Sequence, residues 1–283
     1  METAIFLMQC TDQKGIVAKI SDLIFRYNAN IIQFDQHTTD PENGQFFMRI
    51  EFCFDPLIIS KQHLEEEFRI LVKPLNAKWQ LHYTSKKLRM GLLVSKQDHC
   101  LVDTLYRWKC GELSVDIPFV ISNHENVGDI VKKYQVHFYH IPISDNNKKL
   151  QETEILSLVK EQTDFLVLAR YMQVISEDFL KAYQKDIINI HHSFLPSFKG
   201  ANPYRQAYER GVKVIGATAH YITGELDEGP IIEQVVKRVS HRDNVEILMR
   251  KGKNIEQLAL ANALRAYTEH RIILYRNKTI VFE

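Results

Sequence analysis

Three side-chain types that act together on carbonyl groups fall within a short span of the carboxyl-terminal half. Asn189 and His191 stand two residues apart at the end of an apolar run, and Asp227 follows in the turn Glu225-Leu226-Asp227-Glu228-Gly229-Pro230. An amide N–H and an imidazolium are the donors a developing oxyanion needs, and a carboxylate beside an imidazole favours its charged form. The set therefore has the composition of a site that transfers or hydrolyses an acyl group. The same residue types also cap turns, so spacing alone leaves a purely local role open. Ser193, His191 and Asp227 would compose a nucleophilic triad, but no G-x-S-x-G elbow accompanies them. His192 is read as a structural or supporting histidine facing away from His191. His220 is read either as a buried strand histidine or as a group lining the site.

These side chains must be carried by elements that bring them together. Strand side chains alternate, so Asn189 and His191 share one face while Ile190 packs on the other. A strand ending there puts the pair at the carboxyl edge of a sheet, where open α/β sheets take ligands. Upstream, apolar strands at 90–94, 115–121, 138–141 and 165–169 alternate with helical patterns at 100–109, 127–134 and 150–162. That alternation predicts a Rossmann-like, mostly parallel sheet with helices on both faces. Residues 245–267 read as a helix, and 272–275 with 279–282 as a hairpin. Segment 199–204 reads as a mobile loop entering a helix near Pro203.

Two turns add information. Residues 168–175 follow a buried strand and offer backbone groups and apolar walls suited to a flat heteroaromatic ring, or else ordinary strand-to-helix packing. The loop 94–99, Val-Ser-Lys-Gln-Asp-His, has no glycine, whereas a turn that cradles phosphate uses glycines to expose its N–H groups. Lys96 remains available there as a point charge.

The first 84 residues have a different rhythm: strand 3–10, helix 16–27, strand 31–38, a turn at 40–44, strand 46–54, helix 64–75 and strand 79–83. This is the βαββαβ, ferredoxin-like order. The expected organisation is a domain over 1–84, a basic join at 85–89 and a second domain over 90–283.

Composition excludes several classes. Lys and Arg number 36 against 35 Asp and Glu, a net charge of +1, so no bulk field recruits nucleic acid or an anionic membrane. No apolar run approaches bilayer length, and the first residues lack the basic start of an export signal. Cys10, Cys53, Cys100 and Cys110 show no CxxC pairing and read as reduced thiols, so the cytoplasm is expected. The 12 histidines form no zinc signature, and no catalytic metal is expected.

The loop Asn189-Ile190-His191-His192-Ser193-Phe194-Leu195-Pro196, followed by Leu226-Asp227-Glu228-Gly229-Pro230, resembles the formyl-transfer family that uses 10-formyltetrahydrofolate. The likeness extends over roughly residues 89–283. The doubled His191-His192 and the amino-terminal region look like the family's formyltetrahydrofolate deformylase branch. The resemblance implies hydrolysis of 10-formyltetrahydrofolate to formate and tetrahydrofolate, serving one-carbon and purine metabolism, with Asn189, His191 and Asp227 catalytic. It implies that Met172, Gln173, Val174 and Ile175 hold the pterin, although Gln173 stands where the transferases often carry Arg. The folate is then a substrate, with no separate cofactor. The transferases that act on glycinamide ribonucleotide look glycine-rich where 94–99 is not, which favours water as acceptor. Transfer to an amine and a catalytically idle binding protein are the rival readings. The first βα turn, with Asp12 and Gly15, resembles an ACT domain, implying a small amino-acid effector such as glycine or methionine and a homo-oligomer.

Overall fold

The computed structural model describes residues 1–40, 44–144, 147–197 and 202–283. The expected turn at 40–44 and loop at 199–204 therefore lie partly outside the described residues, at 41–43 and 199–201. The chain divides into two compact units, residues 1–87 with 269–283, and residues 88–268.

In the first unit the strands β1 (Glu2–Thr11), β2 (Asn30–Thr38), β3 (Gln45–Phe54) and β4 (Lys78–Tyr83) form an antiparallel sheet in the order β2-β3-β1-β4. Helices α1 (Ile16–Arg26) and α2 (Lys61–Val72) pack on one face of it. Alternation along β1 sends Ala4, Phe6 and Met8 towards the helices, where Phe6 stacks on Phe68 with ring centroids 4.3 Å apart. Gly15 precedes α1 at φ +88°, a left-handed conformation glycine takes without steric cost. The order is ferredoxin-like, consistent with an ACT-like domain.

Ile5 and Leu7 point to the other face of β1. They are covered by the carboxyl-terminal hairpin β13 (Ile272–Tyr275) and β14 (Lys278–Val281), whose Ile273 joins Phe282 and Phe47 in that cluster. Residues 269–283 thus belong with the first unit, which corrects the expected boundary at 90–283. The cause is the bare apolar face that a two-layer α/β unit leaves on its sheet. Arg49, 2% exposed, fixes the incoming chain by donating to the carbonyls of Glu269 and His270. The expected join at 85–89 also shortens, because Leu88 and Arg89 already belong to a strand.

That strand is β5 (Leu88–Val94), the centre of the second unit. It is followed by α3 (His99–Lys109), β6 (Val115–Asp116), β7 (Phe119–Ser122), α4 (Gly128–Lys133), β8 (His137–His140), α5 (Lys148–Gln162), β9 (Phe165–Leu168), α6 (Glu177–Tyr183), β10 (Ile187–His191), α7 (Pro203–Glu209), β11 (Val214–Tyr221), β12 (Ile231–Arg238) and α8 (Val245–Thr268). The sheet order is β12-β11-β10-β9-β5-β7-β8, with β6 beside β5. Pairings from β8 to β10 are parallel, and β11 and β12 are antiparallel. The single strand expected at 115–121 is split at Ile117-Pro118, where proline has no N–H to give a ladder.

After β5 the chain builds outward through β7 and β8, then returns to the other side of β5 with β9 and β10. The order reverses between β5 and β9, so their carboxyl ends form the crevice of an open α/β sheet. Helix α8 carries an apolar stripe, Gly252, Ile255, Ala259, Leu260, Ala263 and Leu264, each buried. Burying one of its leucines contributes about 1.5–3 kcal/mol. Among the described residues no helix is long and apolar enough to cross a membrane.

Candidate active site

The crevice holds a cavity of about 240 Å³ whose walls include Asn189, His191, His192, His220 and Asp227, together with Met172, Gln173, Val174 and Ile175. The seven residues that the resemblance assigned, Asn189, His191, Asp227 and 172–175, therefore all line one cavity.

Register explains the polar side. Strand β10 pairs with β11 so that Asn189 lies opposite His220. The Asn189 Nδ2 and His220 Nε2 atoms are 3.2 Å apart, and His220 Nδ1 is 2.9 Å from the Tyr221 carbonyl. A carbonyl only accepts, so Nδ1 carries the proton and Nε2 is the acceptor of an Asn189 N–H. The second N–H of that amide has no hydrogen-bond partner among the described residues. Burial lowers the pKa of His220, 1% exposed, which keeps the ring neutral as this arrangement requires. Both sequence readings of His220 thus apply: it is a buried strand residue and it lines the site.

His191 closes β10. Its Nδ1 lies 3.3 Å from Asp227 Oδ1, while its Nε2 is buried and has no hydrogen-bond partner among the described residues. A buried donor or acceptor left alone costs about 1–3 kcal/mol, so Nε2 calls for a partner in the cavity, which water or a ligand atom can supply. Asp227 is held below the ordinary carboxylate value by the His191 contact first, against the opposing effect of burial. Its backbone is left-handed, φ +57°, a conformation aspartate tolerates better than most residues. Gly229 lets this loop return: a Cβ there would meet the Tyr221 carbonyl oxygen at 1.8 Å.

The apolar side is the turn after β9. Arg170 adopts φ +64°, and Ser95 ties the turn down, its N–H donating to the Arg170 carbonyl and its hydroxyl accepting from Met172 N–H at 3.0 Å. At the far end Ser176 caps α6 by accepting from Phe179 N–H, and its own N–H donates to Glu152. Pinned at both ends, 170–176 presents Met172 and Val174, both more than half exposed, at the mouth of the cavity.

His192 departs from expectation. Strand alternation stops at His191, and His192 also reaches the cavity, with ring centroids 5.2 Å apart. Burial, then the nearby Arg170, holds its pKa down at about 3. Ser193 does not face the imidazole as a nucleophile; its hydroxyl donates to the Ser197 carbonyl.

A buried polar cluster beside the site was not singled out from the sequence. Glu256 of α8, 1% exposed, accepts from Tyr204 through Oε1, contacts His99 Nε2 at 2.8 Å through Oε2 and lies 3.3 Å from Arg170 Nε. The signal was present, because Glu256 is the one charged residue in the apolar stripe of α8. His99, Cys100 and Glu256 bring three potential metal donors within 4.8 Å. The Arg170 guanidinium beside Glu256 opposes a cation there, and burial pushes the Cys100 thiol away from the thiolate a metal would bind.

Residues 88–264 match the formyl transferase family. A formyltetrahydrofolate deformylase of Synechocystis is 50% identical over 281 residues, covering 99% of this chain and 98% of that protein. The chain belongs to the formyltetrahydrofolate deformylase family. A crystal structure of a formyltetrahydrofolate deformylase from Pseudomonas syringae superposes with a TM-score of 0.93 at 42% identity, covering 100% of this chain and 95% of that one. The likeness to a glycinamide ribonucleotide transformylase of Symbiobacterium toebii is narrower: TM-score 0.67, 28% identity, 72% of this chain and 98% of that one. The deformylase family is thus matched along both units, and the transformylase over a smaller share of the chain.

Proposed function

We propose that the chain hydrolyses 10-formyltetrahydrofolate to formate and tetrahydrofolate, using Asn189, His191 and Asp227. The observation that carries this reading is the pairing of two unspent polar groups, the second Asn189 N–H and the lone His191 Nε2, on a cavity with an apolar mouth. The formyl oxygen accepts from both. Water adds to the formyl carbon, and as charge builds on that oxygen the Asp227 carboxylate stabilises the positive His191 ring. Asp227 also orients the attacking water, one of whose protons goes to the folate nitrogen and the other to solvent as formate forms. The C–N bond then breaks, the folate nitrogen takes a proton through water, and formate leaves. Met172, Gln173, Val174 and Ile175 hold the pterin. His220 fixes the amide of Asn189 without touching the substrate.

The test is purified protein with 10-formyltetrahydrofolate, following formate with and without an amine acceptor. Formate release that needs no amine supports hydrolysis; release only with an amine assigns transfer instead. The loop 94–99, without glycine, favours water. The reaction runs on side chains and water, with no metal or separate cofactor, so activity lost on dialysis against a chelator and restored by a metal would overturn that part.

The amino-terminal unit is an ACT-like sensor in this reading, binding glycine or methionine and pairing copies of the chain into a homo-oligomer that works in the cytoplasm. Equilibrium dialysis in which neither amino acid binds nor alters turnover would remove the sensor. Sedimentation at a single-chain mass would remove the oligomer.

A further inference from the structure

A second cavity, of about 410 Å³, adjoins the first. Arg170, Met172 and His192 line both, and Lys253 and Glu256, with the polar Gln97, Asn202 and Tyr204, also line the second. On α8, Met249, Lys253 and Glu256 recur at i, i+4 and i+7, so one helix face lines it.

The charges in it are unequally engaged. Glu256 is committed to Tyr204, His99 and Arg170. Arg170, 6% exposed, donates from Nη2 to Gln97, but its Nη1 is buried and has no hydrogen-bond partner among the described residues. Lys253 makes no ion pair among the described residues. An unpartnered guanidinium donor and an unpaired ammonium on one cavity are suited to a small carboxylate.

The chemistry of the first cavity supplies one. Hydrolysis leaves formate, an anion, next to the Asp227 carboxylate, and like charges in a partly buried site repel. The cation that lines both cavities is Arg170. We propose that formate leaves the catalytic cavity past Arg170 into the second cavity and is held there between Arg170 and Lys253 while tetrahydrofolate remains bound. This rests on the hydrolytic reading above and adds to it an exit route and a second anion site.

The experiment titrates sodium formate into the full-length protein by calorimetry, with and without saturating tetrahydrofolate. Formate affinity should change less than about threefold when the folate is bound. Lys253→Met should weaken formate at least about tenfold in the folate-bound protein, and Lys253→Arg should restore it to within about threefold, with thermal midpoints confirming that both variants fold. Mutual exclusion of formate and tetrahydrofolate would place formate in the catalytic cavity alone and overturn the proposal. So would indifference to Lys253→Met, or inorganic phosphate binding about tenfold tighter than formate. No turnover is required. Formate binding beside tetrahydrofolate without formate release from the formyl folate would therefore sink the hydrolytic reading separately.

Discussion

Replacing Asp227 by Asn keeps the side chain's shape and removes its charge, which makes it the sharpest probe of the site. Asp227 Oδ1 lies 3.3 Å from His191 Nδ1 and 3.8 Å from His220 Nε2. Unit charges 3.3 Å apart attract by about 5 kcal/mol at an effective dielectric constant of 20. Desolvation of a partly buried pair returns part of that. A remaining loss of about 3–4 kcal/mol in the transition state lowers turnover roughly 10²–10³-fold. The ground state should suffer little, because the turn 170–176 is held by Ser95 and Glu152 rather than by Asp227. Formate release at saturating 10-formyltetrahydrofolate gives kcat, and equilibrium dialysis with tetrahydrofolate gives affinity. The expected result is a kcat reduced by roughly two to three orders of magnitude with affinity within about threefold. Because the His191 contact depresses the Asp227 pKa, the carboxylate is stabilising above its ordinary value, 3.8, and that contribution is lost as pH falls through the lower folded value. The variant should lack this acid-dependent loss. A turnover within tenfold of the parent, with folate binding intact, would refute the assignment.

In the proposed mechanism Asn189→Ala removes one donor to the formyl oxygen and should lower kcat roughly 10²–10³-fold in the same assay. Glu256→Ala strands the buried Arg170 guanidinium and should cost about 3–5 kcal/mol in urea unfolding. Gly252→Ala puts a Cβ 2.1 Å from the Tyr204 hydroxyl, so the ring must move; about 1–3 kcal/mol of destabilisation is expected by the same measurement. The His82 and His270 rings stack with centroids 3.7 Å apart, and burial holds their pKa values at about 4 and about 3. Their folded values lie below the ordinary 6.5, so stability is full above that pH and falls as pH drops towards 4. Each adds up to about 1.4 kcal/mol per pH unit to the slope, which His270→Phe should reduce in urea midpoints measured between pH 7 and 5.

The candidate cavity was legible because its parts lie in short, self-announcing segments. A strand end fixes Asn189 and His191 on one face, and Gly229 permits the return of the Asp227 loop. The alternating βα pattern gave the parallel half of the sheet, but nothing local says that β11 and β12 add antiparallel. The hairpin at 272–281 was legible as a hairpin, yet its period of two cannot say which sheet it covers; that depended on the bare face carrying Ile5 and Leu7. The Glu256–Arg170 pair joins a helix to a turn 86 positions earlier. Local pattern carries no information about that meeting, and only the misplaced charge in the stripe of α8 hints at it.

Two of the three histidines on the cavity sit in opposite electrostatic settings, and the partner of Nδ1 decides which. For His220 that partner is the Tyr221 carbonyl, which accepts from Nδ1–H; this bond favours the charged ring, but the larger effect of burial outweighs it and disfavours the imidazolium. Nε2 is thereby fixed as an acceptor, and the amide of Asn189 is turned so that one N–H faces inward. For His191 the partner is Asp227, whose negative charge would favour a positive ring in the proposed reaction. The orientation of the amide is consequently set by strand register, through Asn189 lying opposite His220, whereas the electrostatics of His191 are set by a loop. A substitution on β11 that shifted His220 would disable Asn189 while leaving the His191–Asp227 pair in place. Changes on the 225–230 loop would do the reverse.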